Sequence, residues 1–287
     1  MEIRSILVPF DFSEASEHAV RYASGLATGF GAKITILHVL PPLRYEYAMV
    51  QPNEQRLREI NQHRTANALQ VLGNVLPEDA APGLRCEVLE GEPAEIITQA
   101  ANEGRYDAVV MSTRGSGAFK RWLVIGSVTS KVLHGCERPV ITSVHFEDHD
   151  ATSSMGRILC AVDLGPQTMN VVCWGMRAAR KFGAQLEVVH VAAEEPPEFG
   201  GEDLDAWKDR TSDRAMARID EVKRALDAQA ETTIGFGHPA RVLSSIAQRR
   251  NADLLVLGRG VSQDVLGRLR ANAYDIIRQC PCPVVSI

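Results

Sequence analysis

Residues 30–39 read Phe-Gly-Ala-Lys-Ile-Thr-Ile-Leu-His-Val, and residues 182–191 read Phe-Gly-Ala-Gln-Leu-Glu-Val-Val-His-Val. The run Ile-Leu-Val-Pro-Phe-Asp at 6–11 recurs at the same offset as Ile-Leu-Cys-Ala-Val-Asp at 158–163. Two matches at the same offset indicate an internal repeat. Because a repeat determines the overall architecture, it takes precedence over local sequence patterns.

The repeat divides the chain into two halves. Gly-Glu-Pro-Ala at 91–94 and Gly-His-Pro-Ala at 237–240 match at a shorter offset, so the first half has the longer middle segment. We predict domains over 1–146 and 156–287, joined by a polar linker over 145–156 that lacks an apolar period. The total of 287 residues agrees with this division, because a domain typically has about 150 residues.

Within each half, short runs rich in Val, Ile and Leu alternate with longer helical patterns. In the first half the predicted strands are 5–11, 34–40, 85–89, 108–112 and 140–144, and the predicted helices are 14–30, 53–76, 93–103 and 127–134. The strand runs are continuously apolar, as a parallel sheet with helices on both faces requires. The sequence therefore predicts an α/β fold of two tandem doubly wound units, each with a five-stranded parallel sheet.

The composition is typical of a soluble globular protein, with 45% apolar and 23% charged residues. The net charge is −5 and the basic residues are scattered, so the sequence lacks the positive patch that nucleic-acid binding requires. No apolar run has the length of a membrane span, and the first predicted strand begins too early for a signal peptide. We therefore expect a cytoplasmic protein with neither a nucleic-acid nor a membrane partner.

Six cysteines are too few for a disulfide framework, and most lie in apolar runs where a reduced thiol packs as a small core residue. The pair in Cys280-Pro281-Cys282 lacks a second close pair to complete a metal site, and its spacing is not that of a CxxC motif. The sequence therefore predicts six reduced thiols and no metal site.

In an open parallel sheet, ligands bind beyond the carboxyl ends of the strands. Residues 112–129 follow the fourth predicted strand and contain Gly115, Gly117 and Gly126 before a predicted helix. Glycines let the backbone approach an anion, and a helix N-terminus offers unpaired N–H groups to a phosphate. Two structural alternatives remain open: the glycines serve only a turn, and Ser127 is only the helix N-cap.

Asp11, at the end of the first strand, also has two possible roles. Its carboxylate can accept hydrogen bonds from a base or ribose, or it can cap the next helix. His38 and His190 recur at the end of the second strand of each half, either as ligand contacts or as structurally satisfied side chains.

Five segments, in this order and spacing, resemble the universal stress protein family. They are 6–13, 37–39, 91–94, 111–129 and 137–141. The similarity covers nearly the whole chain twice over, as in the tandem members of that family, and the family fold is the α/β unit inferred above. The resemblance further implies antiparallel pairing of the fifth strands, 140–144 and 284–287, in an internal pseudo-dimer, and leaves open a homodimer of two chains.

The ATP-binding members of the family have Gly-x-x-Gly, nine residues, then Gly-Ser or Gly-Thr. The resemblance therefore implies an adenine nucleotide (ATP, ADP or AMP, with Mg²⁺ as a possible companion) in the first half. The implied contacts are Asp11 and Val39 at the adenine end, Pro9 and Met111 as walls, and Gly115, Gly126, Ser127, Val128 and Thr129 around the phosphates. This chain departs from the pattern in having Ser112 at the first glycine position and ten residues between Gly115 and Gly126.

The second half departs further from the nucleotide-binding pattern. Gly258-Arg259-Gly260 is one residue short, and Arg270-Ala271 stands where Gly-Ser belongs. Arg270 has three possible roles. It fills the space of the phosphates, it binds a different anion, or it belongs to a solvated basic face. We expect no ATP in this half and interpret it as structural or regulatory.

No Ser/His/Asp, Cys/His or paired-carboxylate arrangement and no Walker A motif occurs at positions that the topology would bring together. The sequence does not predict a committed enzyme; a slow ATPase is the most it allows, and no base to position the attacking water stands out. Our leading hypothesis is a cytoplasmic stress-response protein whose affinity for an unidentified protein partner depends on nucleotide state. The alternative is a nucleotide-independent interaction module with degenerate ligand sites.

Overall fold

The computed structural model describes residues 3–42, 54–75, 83–114, 125–148, 155–194, 204–259 and 267–287. The chain divides into two compact units, one formed mainly by residues 2–140 and the other mainly by residues 153–287. None of the helices in the described ranges combines the length and the apolar character needed to cross a membrane.

The first half alternates strands and helices. Its elements are β1 (Ser5–Pro9), α1 (Glu14–Phe30), β2 (Lys33–Leu40), α2 (Glu54–Val75), β3 (Arg85–Glu90), α3 (Pro93–Ala100), β4 (Ala108–Ser112), α4 (Ser127–Gly135) and β5 (Val140–Ser143). Parallel pairing gives the order β3-β2-β1-β4. The central strand β1 is fully buried along Ile6, Leu7 and Val8. Both of its faces are therefore covered, as its continuous apolar run predicts.

The second half repeats this plan. Its elements are β6 (Arg157–Val162), α5 (Thr168–Phe182), β7 (Gln185–Ala192), α6 (Leu204–Leu226), β8 (Glu231–Phe236), α7 (Pro239–Arg250), β9 (Leu254–Leu257), α8 (Gly267–Gln279) and β10 (Val284–Ser286). The four pairs that these five strands form with one another are parallel, and the strand order is β10-β9-β6-β7-β8. The predicted α/β fold class is confirmed.

In each half, an aspartate at the equivalent position, just before the fourth strand, bonds to the start of the first strand. Asp107 Oδ2 accepts the backbone N–H of Ser5 at 3.0 Å, and Asp253 Oδ2 accepts that of Arg157 at 2.9 Å. Hydrogen bonds to an ionised carboxylate are stronger than neutral ones. These bonds hold the first residues of β1 and β6 in place. The position at which each strand starts in turn sets the position of its carboxyl end.

Within the described ranges, three predicted elements extend past their observed ends, while β3 and α4 each run one residue further than predicted. Strand β1 ends at Pro9 rather than at residue 11, because the chain turns at Phe12, which has a φ of +62°. Helix α3 ends at Ala100 rather than at residue 103 and widens over Ala101–Arg105, where Gly104 has a φ of +79°. Strand β5 ends at Ser143, one residue early.

Glu187 in β7 is a charged side chain with no exposed surface. Its carboxylate lies 3.3 Å from the guanidinium nitrogens of both Arg157 and Arg250 and accepts the hydroxyl of Thr233 at 2.6 Å. A carboxylate buried in this way is tolerated only when it is paired and hydrogen-bonded. The first half has the neutral Thr35 at the equivalent position.

Two glycines inside helices provide a matched test of packing. A Cβ at Gly175 in α5 would overlap Cys160 Sγ and lie 3.2 Å from Leu186 Cδ1, whereas a Cβ at Gly73 in α2 meets no atom of the described residues within 4 Å. We expect Gly175→Ala to lower the free energy of unfolding by about 1–3 kcal/mol through overpacking. Gly73→Ala should raise it by up to about 1 kcal/mol, since alanine favours a helix interior. Urea unfolding followed by circular dichroism measures both, and equal effects would contradict the packing at α5.

Candidate functional site

The carboxyl ends of β1, β2 and β4 lie at one edge of the first sheet. Pro9 pairs with Leu37 in β2, and Leu7 pairs with Val109 in β4. The parallel register therefore sets Pro9 and Met111 at neighbouring strand ends, with Met111 buried and Pro9 partly exposed. This edge is where an open parallel sheet binds its ligands.

Asp11 lies in the turn that follows β1. Its Oδ1 accepts the backbone N–H of Ser13 at 3.2 Å and the Ser13 hydroxyl at 2.5 Å. Ser13 in turn caps α1 by accepting the N–H of Ser16 at 3.2 Å. Asp11 is therefore not itself the N-cap considered from the sequence: Ser13 is the cap, and the Asp11 carboxylate orients it from the end of β1.

The recurring histidines are satisfied by the backbone. His38 Nδ1 donates to the carbonyl of Phe10 at 2.8 Å, and His190 Nδ1 donates to that of Val162 at the same distance. The His38 ring also packs against Phe12, with the ring centroids 4.6 Å apart. These bonds tie the first strand of each half to the second, which favours the structural interpretation. Val39, the next residue, is buried.

The N-terminus of α4 lies beyond β4. Gly126 is the N-cap, so Ser127 is the first helical residue, which corrects the alternative that Ser127 is the cap. The first helical bond runs from the N–H of Ser130 to the carbonyl of Gly126 at 2.9 Å. The N–H groups of Ser127, Val128 and Thr129 precede that bond and have no partner within the helix.

The hydroxyls at this edge have different roles. Ser127 is exposed, whereas Thr129 is buried and donates its hydroxyl to the carbonyl of Ser112 at 3.0 Å. That donor is therefore used to hold α4 against the end of β4. Ser112, at the first glycine position of the family pattern, turns its own hydroxyl to the carbonyl of Arg114. Gly115 lies outside the described residues.

Gly126 adopts an ordinary φ of −58°, which any residue can adopt. A Cβ there would lie 3.4 Å from the carbonyl oxygen of Thr113, an ordinary contact. The N–H of Gly126 donates to that same carbonyl at 2.8 Å and anchors the loop end to β4. Neither backbone conformation nor packing among the described residues demands a glycine here.

The corresponding edge of the second half contains a cavity of about 70 Å³. Its lining is mostly apolar and includes Asp163, Gln167, Val191, Leu257, Gly258 and Ile276. A Cβ at Gly258 would overlap Oε1 of Gln167, so this side chain covers the glycine. No local sequence pattern indicates this contact, because Gln167 and Gly258 are far apart along the chain.

Helix α8 begins at Gly267, so Arg270 and Ala271 lie inside its first turn and a half. In the first half the equivalent pair, Gly126-Ser127, marks the helix start. An additional helical turn therefore occupies the second half where a phosphate-binding N-terminus would be. The side chains over 260–271, including those of Arg268 and Arg270, lie outside the described residues.

Two segments of the chain match the same protein-family model. Each segment contains one of the two sheet edges that the carboxyl ends of the strands form. The model is that of the universal stress protein family, and it matches residues 2–143 and 155–287. The chain belongs to the universal stress protein family. It is a tandem member, because the family unit occurs twice.

Known relatives agree with this assignment. A universal stress protein of Mycolicibacterium smegmatis is 28% identical over 193 residues, which are 65% of this chain and 63% of that protein. One from Thermus aquaticus is 30% identical over 138 residues, 48% of this chain and 96% of its own length. The crystal structure of a universal stress protein from Archaeoglobus fulgidus superimposes with a TM-score of 0.69 at 24% identity, covering 98% of this chain and 95% of that one. At that identity the structure supports the fold alone.

The Asp11 network predicts a stability effect that is independent of any ligand. We expect Asp11→Ala to lower the free energy of unfolding by about 1 kcal/mol, because Ser13 loses the acceptor that orients it as the α1 cap. Asp11→Asn retains an oxygen that accepts from Ser13, so it should recover most of the loss. Urea unfolding without added ligand measures both variants. Equal stability of Asp11→Ala and the parent protein would contradict this role.

Proposed function

We propose that this universal stress protein is a cytoplasmic regulatory protein that binds an adenine nucleotide in its first half. The observation that carries the proposal is the position of the α4 N-terminus, just beyond the carboxyl end of β4. Three N–H groups of its first turn lack intrahelical partners, and they follow a glycine that no contact with the described residues requires.

The phosphate end of the proposed site follows from helix electrostatics. A helix N-terminus carries a partial positive charge, and its unpaired N–H groups favour an anion by both charge and hydrogen bonding. The exposed hydroxyl of Ser127 adds a donor beside them. Thr129 contributes its N–H rather than its hydroxyl, because the hydroxyl already bonds to Ser112. Gly115 completes the phosphate contacts in this proposal.

The adenine end uses the residues at the ends of β1, β2 and β4. Asp11 is held there by Ser13, and its carboxylate is an acceptor of hydrogen bonds when ionised. It would accept hydrogen bonds from the base or ribose. Pro9, Val39 and Met111 would supply apolar walls, which ligand sites of this kind use around a few polar groups.

The expected ligand is ATP, ADP or AMP, with Mg²⁺ accompanying the phosphates. We infer that the nucleotide state changes the affinity for a protein partner. In this proposal the second half is structural or regulatory, and its fifth strand pairs with that of the first half in an internal pseudo-dimer. Association of two chains is a further expectation.

One observation favours the alternative of a nucleotide-independent interaction module. Ser112 replaces a family glycine, and its hydroxyl bonds to the carbonyl of Arg114 inside the loop that would hold the phosphates. If that bond fixes the loop in a closed form, the first half has lost its ligand, as the additional turn of α8 indicates for the second half.

Gly126→Ala tests the site directly. Among the described residues the added methyl meets only ordinary contacts, so the variant should fold, yet it would stand where a phosphate must approach the backbone. We expect ATP affinity to fall at least about tenfold, equal to about 1.4 kcal/mol. Titration calorimetry with Mg-ATP measures the affinity, and chromatography of denatured, freshly purified protein measures carried nucleotide.

Gly73→Ala is the control, because it makes the same substitution in α2 and should leave ATP binding unchanged. Unaltered ATP affinity in Gly126→Ala would disprove the proposed position of the phosphates. The absence of both carried nucleotide and binding heat at millimolar ATP would favour the interaction module.

A further inference from the structure

Cys280 and Cys282 flank Pro281 in the turn between α8 and β10. Their Sγ atoms lie 3.5 Å apart. On one side the N–H of Cys280 donates to the carbonyl of Ile276 at 2.8 Å, which closes the end of α8. On the other side the carbonyl of Pro283 accepts the N–H of Leu255 at 3.0 Å and aligns β10 with β9. Helix and strand together hold the two thiols face to face.

The sulfur separation matches a thiol–thiol hydrogen bond, since a disulfide bond is about 2 Å long. None of the six cysteines forms a disulfide, and all six lie in the described ranges. A closing movement of about 1.5 Å between the sulfurs would join Cys280 to Cys282. The sequence motif alone does not reveal this proximity, because a Cys-Pro-Cys segment can also point its side chains apart.

The pairing makes the two thiols chemically unequal. The side-chain hydrogen bond with Cys282 lowers the pKa of Cys280. The same bond, with burial, raises the pKa of Cys282. For comparison, burial raises the pKa of Cys160 to about 12. The thiolate is the reactive form of cysteine, and the lower pKa favours Cys280 as the nucleophile and Cys282 as the resolving thiol, an assignment that two serine variants test.

We propose that Cys280 and Cys282 form a peroxide-reactive dithiol that closes to an intrachain disulfide. The Cys280 thiolate attacks one oxygen of hydrogen peroxide; the O–O bond breaks, and the departing hydroxide takes up a proton to become water. The sulfur of Cys282 then attacks the Cys280 sulfenic acid; an S–S bond forms, the S–O bond breaks, and the thiol proton leaves with the hydroxyl as water. In total two thiols lose two electrons and two protons, and peroxide is reduced to two waters.

The fold controls access to the pair. The residues are only 3% and 1% exposed, so peroxide reaches the sulfurs when the turn between α8 and β10 opens locally. The disulfide would then tighten the turn at the end of α8. Because Ala273 and Ile276 of α8 line the second-half cavity, oxidation acts on a helix that borders that cavity.

The first half provides an internal control. Cys136 occupies the position equivalent to Cys280, with Arg138 where the second half has Cys282. Cys136 is equally buried, and its Sγ donates to the carbonyl of Arg138 at 3.6 Å. It has the same location in the fold without a second thiol beside it. Oxidation should therefore distinguish Cys280 from Cys136.

Peptide mass spectrometry tests the proposal on the full chain. The reduced protein is treated with hydrogen peroxide, the peroxide is removed, and the remaining thiols are blocked with N-ethylmaleimide in guanidinium chloride before digestion with trypsin, which cleaves after Arg278. The peptide 279–287 contains only this cysteine pair. We expect it to lose two hydrogens and take up no maleimide, while Cys136 remains fully labelled. Equal oxidation of Cys136, or a disulfide that forms only after unfolding in urea, would overturn the proposal.

Two serine variants assign the order of reaction. Cys282→Ser keeps a hydroxyl donor beside Cys280 but removes the resolving sulfur, so a sulfenic acid should accumulate on Cys280 and be trapped by dimedone. Cys280→Ser should give no dimedone adduct on Cys282. Adducts on Cys282 but not on Cys280 would reverse the assigned roles and overturn this part of the inference. The mass measurement on the wild-type protein tests disulfide formation even if a serine at either buried position impairs folding.

Discussion

The parallel pairing of strands that are buried on both faces is the constraint on which the rest of the structure depends. A parallel strand returns to its neighbour only through a crossover, and the crossover helices cover both faces of the sheet. The arrangement also brings all carboxyl ends of the strands to one edge. Pro9, Met111 and the turn at Asp11 meet at that edge because β1 lies between β2 and β4.

The two halves keep this scaffold and differ where a ligand would bind. In the first half α4 starts immediately beyond β4, and Thr129 fastens it to Ser112. In the second half α8 has an additional turn, and Gln167 covers Gly258. The scaffold tolerates both versions because its stability comes from the buried strands and from ties such as those of Asp107 and Asp253. One copy is therefore able to diverge while the other keeps the helix N-terminus at the end of β4.

Polar and reactive groups inside the second half show how far the repeat has diverged. Glu187 replaces the neutral Thr35 in the middle of a buried strand, and two arginines and a threonine compensate its charge. Cys282 replaces Arg138 and brings a second thiol beside Cys280. Each change is local in sequence, but its effect depends on atoms contributed by other parts of the same half.

The sequence by itself determined the repeat, the parallel α/β fold and the family, because these depend on periodicity and on the order of motifs along the chain. The sequence also identified the sheet edge that the carboxyl ends of the strands form, because all strands of a parallel sheet run in the same direction. Only the tertiary structure decided that Gly126 rather than Ser127 caps α4, that Asp11 orients Ser13, and that Cys280 faces Cys282. The physical reason is that hydrogen bonds and sulfur contacts depend on distances of a few tenths of an ångström, which a one-dimensional pattern does not encode.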